Sequence, residues 1–190
     1  MKALEEKILK EGVVLPGNVL KVNSFLNHNL DVEFLSEMGR EIVSVFSDVR
    51  IDRILTIEAS GIALAVLTAV ELKVPVTFAK KNRSSNISGN VYTAPIHSYT
   101  HNIDYTAVVT ADFIKAGENV LLIDDFLAKG GALNGLIKIA EQAGANVVGA
   151  AIAIEKGFQG GGDALRAQGI RVESLAIIES MSENSLEFRH

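Results

Sequence analysis

The sequence predicts an α/β fold, a mostly parallel sheet flanked by helices on both faces. Three observations carry this expectation. From Arg53 onward, short apolar runs of strand character alternate with helical patterns. The run Val120-Leu121-Leu122-Ile123 is apolar throughout, as strands buried on both faces of a parallel sheet are. That run, a helical pattern from about Gly131 to Ala143 and a second apolar run from Asn146 to Ile154 together make a β-α-β unit.

The elements can be justified in order. Ala3 to Lys10 reads as a short helix with Leu4, Ile8 and Leu9 on one side and Gly12 as its stop. Gly12 to Asn29 shows no helical period; Pro16-Gly17 marks a turn and Val19 to Val22 a short strand. Asp31 is placed to cap a helix whose buried stripe is Leu35, Met38, Ile42, Val45 and Phe46. Arg53 to Ile57 reads as a strand, Gly61 to Leu72 as a helix and Val74 to Ala79 as the next strand. Lys80 to Asn90 is polar, basic and rich in Ser and Asn, so it reads as a loop, followed by a hairpin of Val91 to Ile96 and Tyr105 to Thr110. After the β-α-β unit come a glycine loop from Gly157 to Gly162, a short helix from Asp163 to Gln168 and a last strand from Arg171 to Ile178. Residues 1–190 are expected to form one domain. About 1–30 and the C-terminal segment are expected to form a small hood over the carboxyl edge of the sheet.

Composition narrows the function classes. Cysteine is absent, which excludes disulfides and thiolate metal sites. The net charge of -5 argues against nucleic-acid binding as the main activity. No window approaches the ~20 apolar residues of a membrane span, and Met1 to Glu11 lacks the apolar core of a secretion signal. The expectation is a cytoplasmic protein with neither a nucleic-acid nor a membrane partner.

The chemistry concentrates after the apolar run, in Asp124-Asp125-Phe126-Leu127-Ala128-Lys129-Gly130-Gly131-Ala132. Ligands of open α/β sheets bind outside the carboxyl ends of the strands. A Gly-rich turn opening a helix brings main-chain N–H groups and the helix N-terminus against a phosphate. Two carboxylates beside that cradle suit a ligand that offers both a phosphate and sugar hydroxyls, or a metal.

This run resembles the phosphoribosyl pyrophosphate signature of the type I phosphoribosyltransferases. Leu20 to His28, Thr56 to Ile62 and Ile154 to Gln159 extend the resemblance to the bacterial xanthine phosphoribosyltransferases and to nearly the whole chain. The resemblance implies the type I fold and a pentosyl transfer from phosphoribosyl pyrophosphate to a purine nitrogen, with Mg2+ and in a homodimer. It assigns Asp124 and Asp125 to the ribose hydroxyls and the metal, directly or through water, as the catalytic pair. It assigns Ala128, Lys129, Gly130, Gly131 and Ala132 to the 5-phosphate loop, and Ser60 and Gly61 to the pyrophosphate loop. Lys81, within the basic run Lys80 to Arg83, falls in the lid region that supplies cations to pyrophosphate. Leu20, Asn27 and Lys156 are assigned to xanthine, and Phe158 is a candidate for stacking on the base.

The residue chemistry agrees in kind. Lys156 follows an apolar strand and can donate to the exocyclic oxygen of a 6-oxopurine, which disfavours adenine. An Asn27 amide N–H can donate to the oxygen at carbon 2 of xanthine, and Leu20 can cover a ring face. Glu155 has the alternative of pairing with Lys156 as a surface ion pair. His97 and His101 lack metal spacing and receive no role. At the phosphate loop the sequence departs from much of the family, which has an acid where Ala128 sits and hydroxyls where Lys129 and Ala132 sit. Phosphate binding must then rest on main-chain N–H groups, the helix N-terminus and Lys129. The rivals are a hypoxanthine–guanine or adenine enzyme and a non-catalytic regulator that senses phosphoribosyl pyrophosphate.

Overall fold

A computed structural model describes residues 1–82, 89–98, 103–182 and 185–190. The chain opens with helix α1 (Lys2–Glu11), the antiparallel pair β1 (Val13–Leu15) and β2 (Val19–Lys21), and a π-helical turn, Asn23–Asn27. That turn departs from the irregular segment expected there. Its winding puts Phe25 and Leu26 into the core, a gain that local periodicity does not signal. Helix α2 (Val32–Val45) begins as expected, with the Asp31 carboxylate accepting from the Phe34 amide at 3.1 Å.

Next come β3 (Arg53–Ile57), α3 (Gly61–Leu72), β4 (Val76–Lys81), β5 (Val91–Ser98) and β6 (Ile103–Thr110). They are followed by β7 (Asn119–Leu127), α4 (Gly131–Gln142), β8 (Asn146–Lys156), α5 (Gly161–Ala167), β9 (Val172–Ser182) and β10 (Ser185–Phe188). The described strands β3 to β10 form one sheet in the order β10-β9-β8-β7-β3-β4-β6-β5. The pairs β9–β8, β8–β7, β7–β3 and β3–β4 are parallel, whereas the β5–β6 hairpin and β10 add antiparallel edges. The β10 edge strand was not anticipated; it folds back on β9, and its sequence is too short and too polar to announce itself.

Alternation along β7 divides the core in two. Leu121 and Ile123 face one cluster with Leu35, Met38, Ile42 and Leu64 of α2 and α3. Val120 and Leu122 face the other, with Leu133, Leu136 and Ile139 of α4. Thus the apolar run is buried on both faces because helices cover both. The N-terminal segment closes the α2 side: Leu4, Ile8, Phe25 and Leu26 all belong to the first cluster, and the N-terminal ammonium donates to the Leu175 carbonyl.

Strand β7 is longer than the apolar run implied. Asp124 and Asp125 lie within it rather than beyond its end, because pairing with β8 continues through Asp124↔Ile152 and Phe126↔Ile154 to Leu127↔Glu155. The ladder brings the two carboxyl ends side by side, and pairing with β9 carries β8 on to Lys156. Because Leu121 is fully buried on a central strand, Leu121→Ala is expected to lower the unfolding free energy by about 2–5 kcal/mol. Urea denaturation checks this, with an unchanged slope marking a pure stability loss.

Candidate active site

At the carboxyl end of β7 the chain turns through Ala128 to Gly130 and enters α4 at Gly131. Gly130 sits at φ +81°, the left-handed region that an L side chain enters only with strain. Its carbonyl accepts from both the main chain and the side-chain amide of Asn134, each at 2.9 Å, which fixes the turn. A cleft of about 150 Å³ lies over this turn, lined by Asp124, Phe126, Ala128, Lys129 and Gly130 on the sheet side and by His97 and Tyr105 from the β5–β6 hairpin. The first-turn amides of α4 and its positive dipole end make this a cradle for an anion.

Asp124 is almost wholly buried beside it. Burial, and next the Asp125 carboxylate, hold the Asp124 carboxyl well above the ordinary aspartate range. The Asp125 amide donates to Asp124 Oδ1 at 3.0 Å and offsets part of that. Asp125 faces the N-terminal segment, where Asn27 Nδ2 donates to its Oδ2 at 2.5 Å. Asn27 Oδ1 is buried and has no hydrogen-bond partner among the described residues. The two adjacent acids therefore stand in different surroundings.

The turn from Glu58 to Gly61 abuts the same carboxylate. A Cβ added at Gly61 would lie 2.6 Å from Thr56 Oγ1 and 3.1 Å from Asp124 Oδ1, so only glycine admits this approach. The Ser60 side chain makes no cap bond to α3. The Glu58–Ala59 peptide is cis, and Glu58 Oε1 accepts from the Lys81 amide at 2.5 Å. The Lys81 ammonium stands 5.3 Å from the Tyr105 ring centroid, and its charge acts on Asp124. Arg83 and His101 lie outside the described residues, as does most of the basic loop.

A second cleft, of about 550 Å³, opens between the β1–β2 turn and the end of β8, lined by Gly17, Asn18, Val19, Lys129, Lys156, Phe158 and Gln159. Lys129 borders both clefts. Lys156 Nζ donates to the Asn18 carbonyl at 2.9 Å and lies 5.6 Å from the Phe126 ring centroid. Burial lowers the Lys156 pKa, because the charged form is desolvated. Phe158 is partly exposed at the rim.

Leu20 and Glu155 are both buried. The Leu20 side chain packs in the core, near Gly12, rather than among the residues that line the Lys156 cleft. Glu155 does not pair with Lys156. It is fully buried and accepts from Arg166 at 2.9 and 2.7 Å and from Ser174 Oγ at 2.5 Å, because neighbouring strand residues point to opposite faces.

Sequence reasoning passed over Tyr105, His97, Phe126 and Asn18. Phe126 is hidden because the two acids interrupt the apolar run. Asn18 acts through a carbonyl, which any residue carries. His97 was set aside for lack of metal spacing, yet it lines the anion cleft, with Nδ1 2.6 Å from Asp104 Oδ1.

Residues 35–167 match the family model described as phosphoribosyl transferase domain. The chain belongs to the phosphoribosyltransferase family. It is 52% identical over 193 residues to the xanthine phosphoribosyltransferase of Bifidobacterium animalis subsp. lactis, covering 100% of both chains. It is equally 52% identical over 190 residues to xanthine phosphoribosyltransferase 1 of Clostridium perfringens, again covering 100% of both. Among solved structures, an adenine phosphoribosyltransferase from Giardia lamblia with 9-deazaadenine superposes with a TM-score of 0.78 at 20% identity, covering 94% of this chain and 98% of that one. The adenine enzyme from Rhodothermus marinus gives 0.76 at 22% identity, covering 94% and 100%. At that identity the structural likeness speaks to the fold alone.

The raised Asp124 pKa has a consequence for stability. A folded pKa above the unfolded one means the folded state holds its proton longer. The stabilising contribution is therefore full below the unfolded value and is lost as pH rises through the folded one. Asp124→Asn removes that loss. The Tm of the variant should increasingly exceed that of the wild type from the acid carboxylate range upward, and melts across pH measure the gap. A gap independent of pH would contradict the buried, raised carboxyl.

Proposed function

We propose that this protein is a xanthine phosphoribosyltransferase of purine salvage. It transfers the phosphoribosyl group of 5-phospho-α-D-ribose 1-diphosphate to xanthine, giving xanthosine 5'-monophosphate and diphosphate. The observation that carries the reading is the 52% identity to proteins of that name along the whole chain, hood included. In the transfer, the bond from the anomeric carbon to pyrophosphate oxygen breaks, the bond to a purine ring nitrogen forms, and that nitrogen's proton leaves to solvent.

In this reading the chain's work is positioning and charge stabilisation. Main-chain amides of Ala128 to Ala132 hold the 5-phosphate, with Lys129 at its edge. Asp124 and Asp125 accept from the ribose hydroxyls as the sugar becomes cationic. Main-chain groups at Ser60 and Gly61 receive the pyrophosphate, with Lys81 nearby. Lys156 donates to the 6-oxo group. Asn27 has one amide hydrogen left after Asp125 for the oxygen at carbon 2.

The two carboxylates suit Mg2+, which takes hard oxygen ligands and is commonly held by one or two carboxylates plus substrate phosphates. Among the described residues no cluster of three or more acids or histidines would form a protein cage for it. Bound there, the ion would neutralise phosphate charge and relieve the electrostatic penalty on ionised Asp124. The same reading takes 1–190 as one domain of a cytoplasmic homodimer. The exposed Phe78 and Phe113 line one groove with Pro75, Val76 and Val108, an apolar surface that supports a partner there.

Pyrophosphate release with xanthine, guanine, hypoxanthine and adenine tests the reading, with strong preference for xanthine expected. Preference for another purine would overturn the base assignment, and no release with any base would favour the sensing regulator. Lys156→Ala should raise the xanthine KM by about 10- to 100-fold, the scale of a lost charged hydrogen bond, and the donor KM far less. Asp124→Asn with Asp125→Asn should abolish turnover while circular dichroism shows the fold retained.

A further inference from the structure

The phosphate loop of this chain lacks hydroxyl side chains, so its grip depends on where its main chain is held. What holds it from behind is the N-terminus of α5. The Gly161 amide donates to the Ala128 carbonyl at 3.1 Å. A Cβ at Gly161 would collide with that carbonyl and with the Lys129 and Gly130 backbone. Leu165 of the same helix packs at the Gly130 turn, where a Cβ added to Gly130 would lie 3.5 Å from Leu165 Cδ1.

The helix is anchored in turn by charge. Arg166 forks onto Glu155 at 2.9 and 2.7 Å, and its Nε donates to the Val172 carbonyl at 3.1 Å. Glu155 is fully buried on β8, one residue before Lys156. A Cβ on Gly162 would collide with the Glu155 carboxylate, so the first turn of α5 rides directly on that group. Asp163 adds bonds to Arg166 and to Arg189 near the C-terminus, at 3.2 and 3.1 Å. A bidentate pair of this kind fixes direction as well as distance, and a lysine in place of the arginine keeps only the charge.

We propose that Glu155 and Arg166 are positioning residues for ribose-donor binding: through α5 and Gly161 they set the register of the Ala128–Gly130 loop. This rests on the reading of that loop as the 5-phosphate site. Neither residue is among those lining the two clefts, so through α5 their influence reaches the loop by the Gly161–Ala128 bond and the Leu165 contact at the Gly130 turn. It should therefore act on the donor and spare the base, although Glu155 adjoins Lys156 in sequence.

The test is steady-state kinetics of Arg166→Gln, Arg166→Lys, Gly161→Ala and the loop control Gly130→Ala, with Tm recorded for each. Misplacing phosphate-binding amides by about 1 Å should raise the donor KM tenfold or more, with the xanthine KM within about twofold. Arg166→Lys should recover part of the loss. If Arg166→Gln does not fold, Gly161→Ala carries the same expectation, since it leaves the ion pair intact and presses only on the loop. If Gly130→Ala raises the donor KM while the folded Arg166 or Gly161 variants leave it unchanged, or raise both KM values alike, the positioning role is overturned and the loop reading stands. If Gly130→Ala itself leaves the donor KM unchanged, the loop reading fails, and the inference with it.

Discussion

The site depends on the parallel pairing of β7 with β8. The ladder runs from Asn119↔Asn146 to Leu127↔Glu155, so both strands deliver their carboxyl ends to the same edge. One end carries Asp124, Asp125 and the Ala128–Gly130 turn, and the other carries Glu155 and Lys156. Parallel strands require a crossover, and α4 supplies it. The N-terminus of that crossover helix is therefore forced to the edge where the acids emerge. An anion cradle and a carboxylate pair meet there because of strand polarity, with no further device.

Two buried acids at this edge meet the cost of burial in opposite ways. Glu155 is matched by a forked guanidinium and a hydroxyl, which satisfies its lone pairs and makes it part of the frame. Asp124 has a main-chain amide and a like-charged neighbour, so its charged form is disfavoured. An unpaired buried carboxylate is poor for stability, but it is poised for a hydroxyl donor or a cation. Frame and site thus lie one strand apart, distinguished by whether the protein supplies the countercharge.

The N-terminal segment joins this edge through individual polar contacts over a buried base. Phe25 and Leu26 tie it to the α2 side of the sheet, while Asn27 and Asn18 reach Asp125 and Lys156. A wall of the candidate base cleft is therefore built by residues more than a hundred positions from Lys156. The larger cleft lies between the two segments rather than within either.

Much of this was legible in the sequence. The period-2 and period-3.6 patterns marked the helices and most strands, the Asp31 cap started α2, and Gly130 marked the turn into α4, because each depends on residues within a few positions. The π-turn at Asn23–Asn27 and strand β10 were not legible, since long-range burial and pairing create them. Nor was the full length of β7, which the ladder with β8 extends through two charged residues. The sequence by itself determined the fold class and the family, both written in local pattern and motif. Only the tertiary structure decided the partners: Asn27 with Asp125, Lys156 with the Asn18 carbonyl, Glu155 with Arg166 rather than Lys156, and Leu20 turned into the core. Those choices follow from side-chain direction and from contacts 98 and 138 residues apart in the chain, where adjacency in sequence carries no information about adjacency in space.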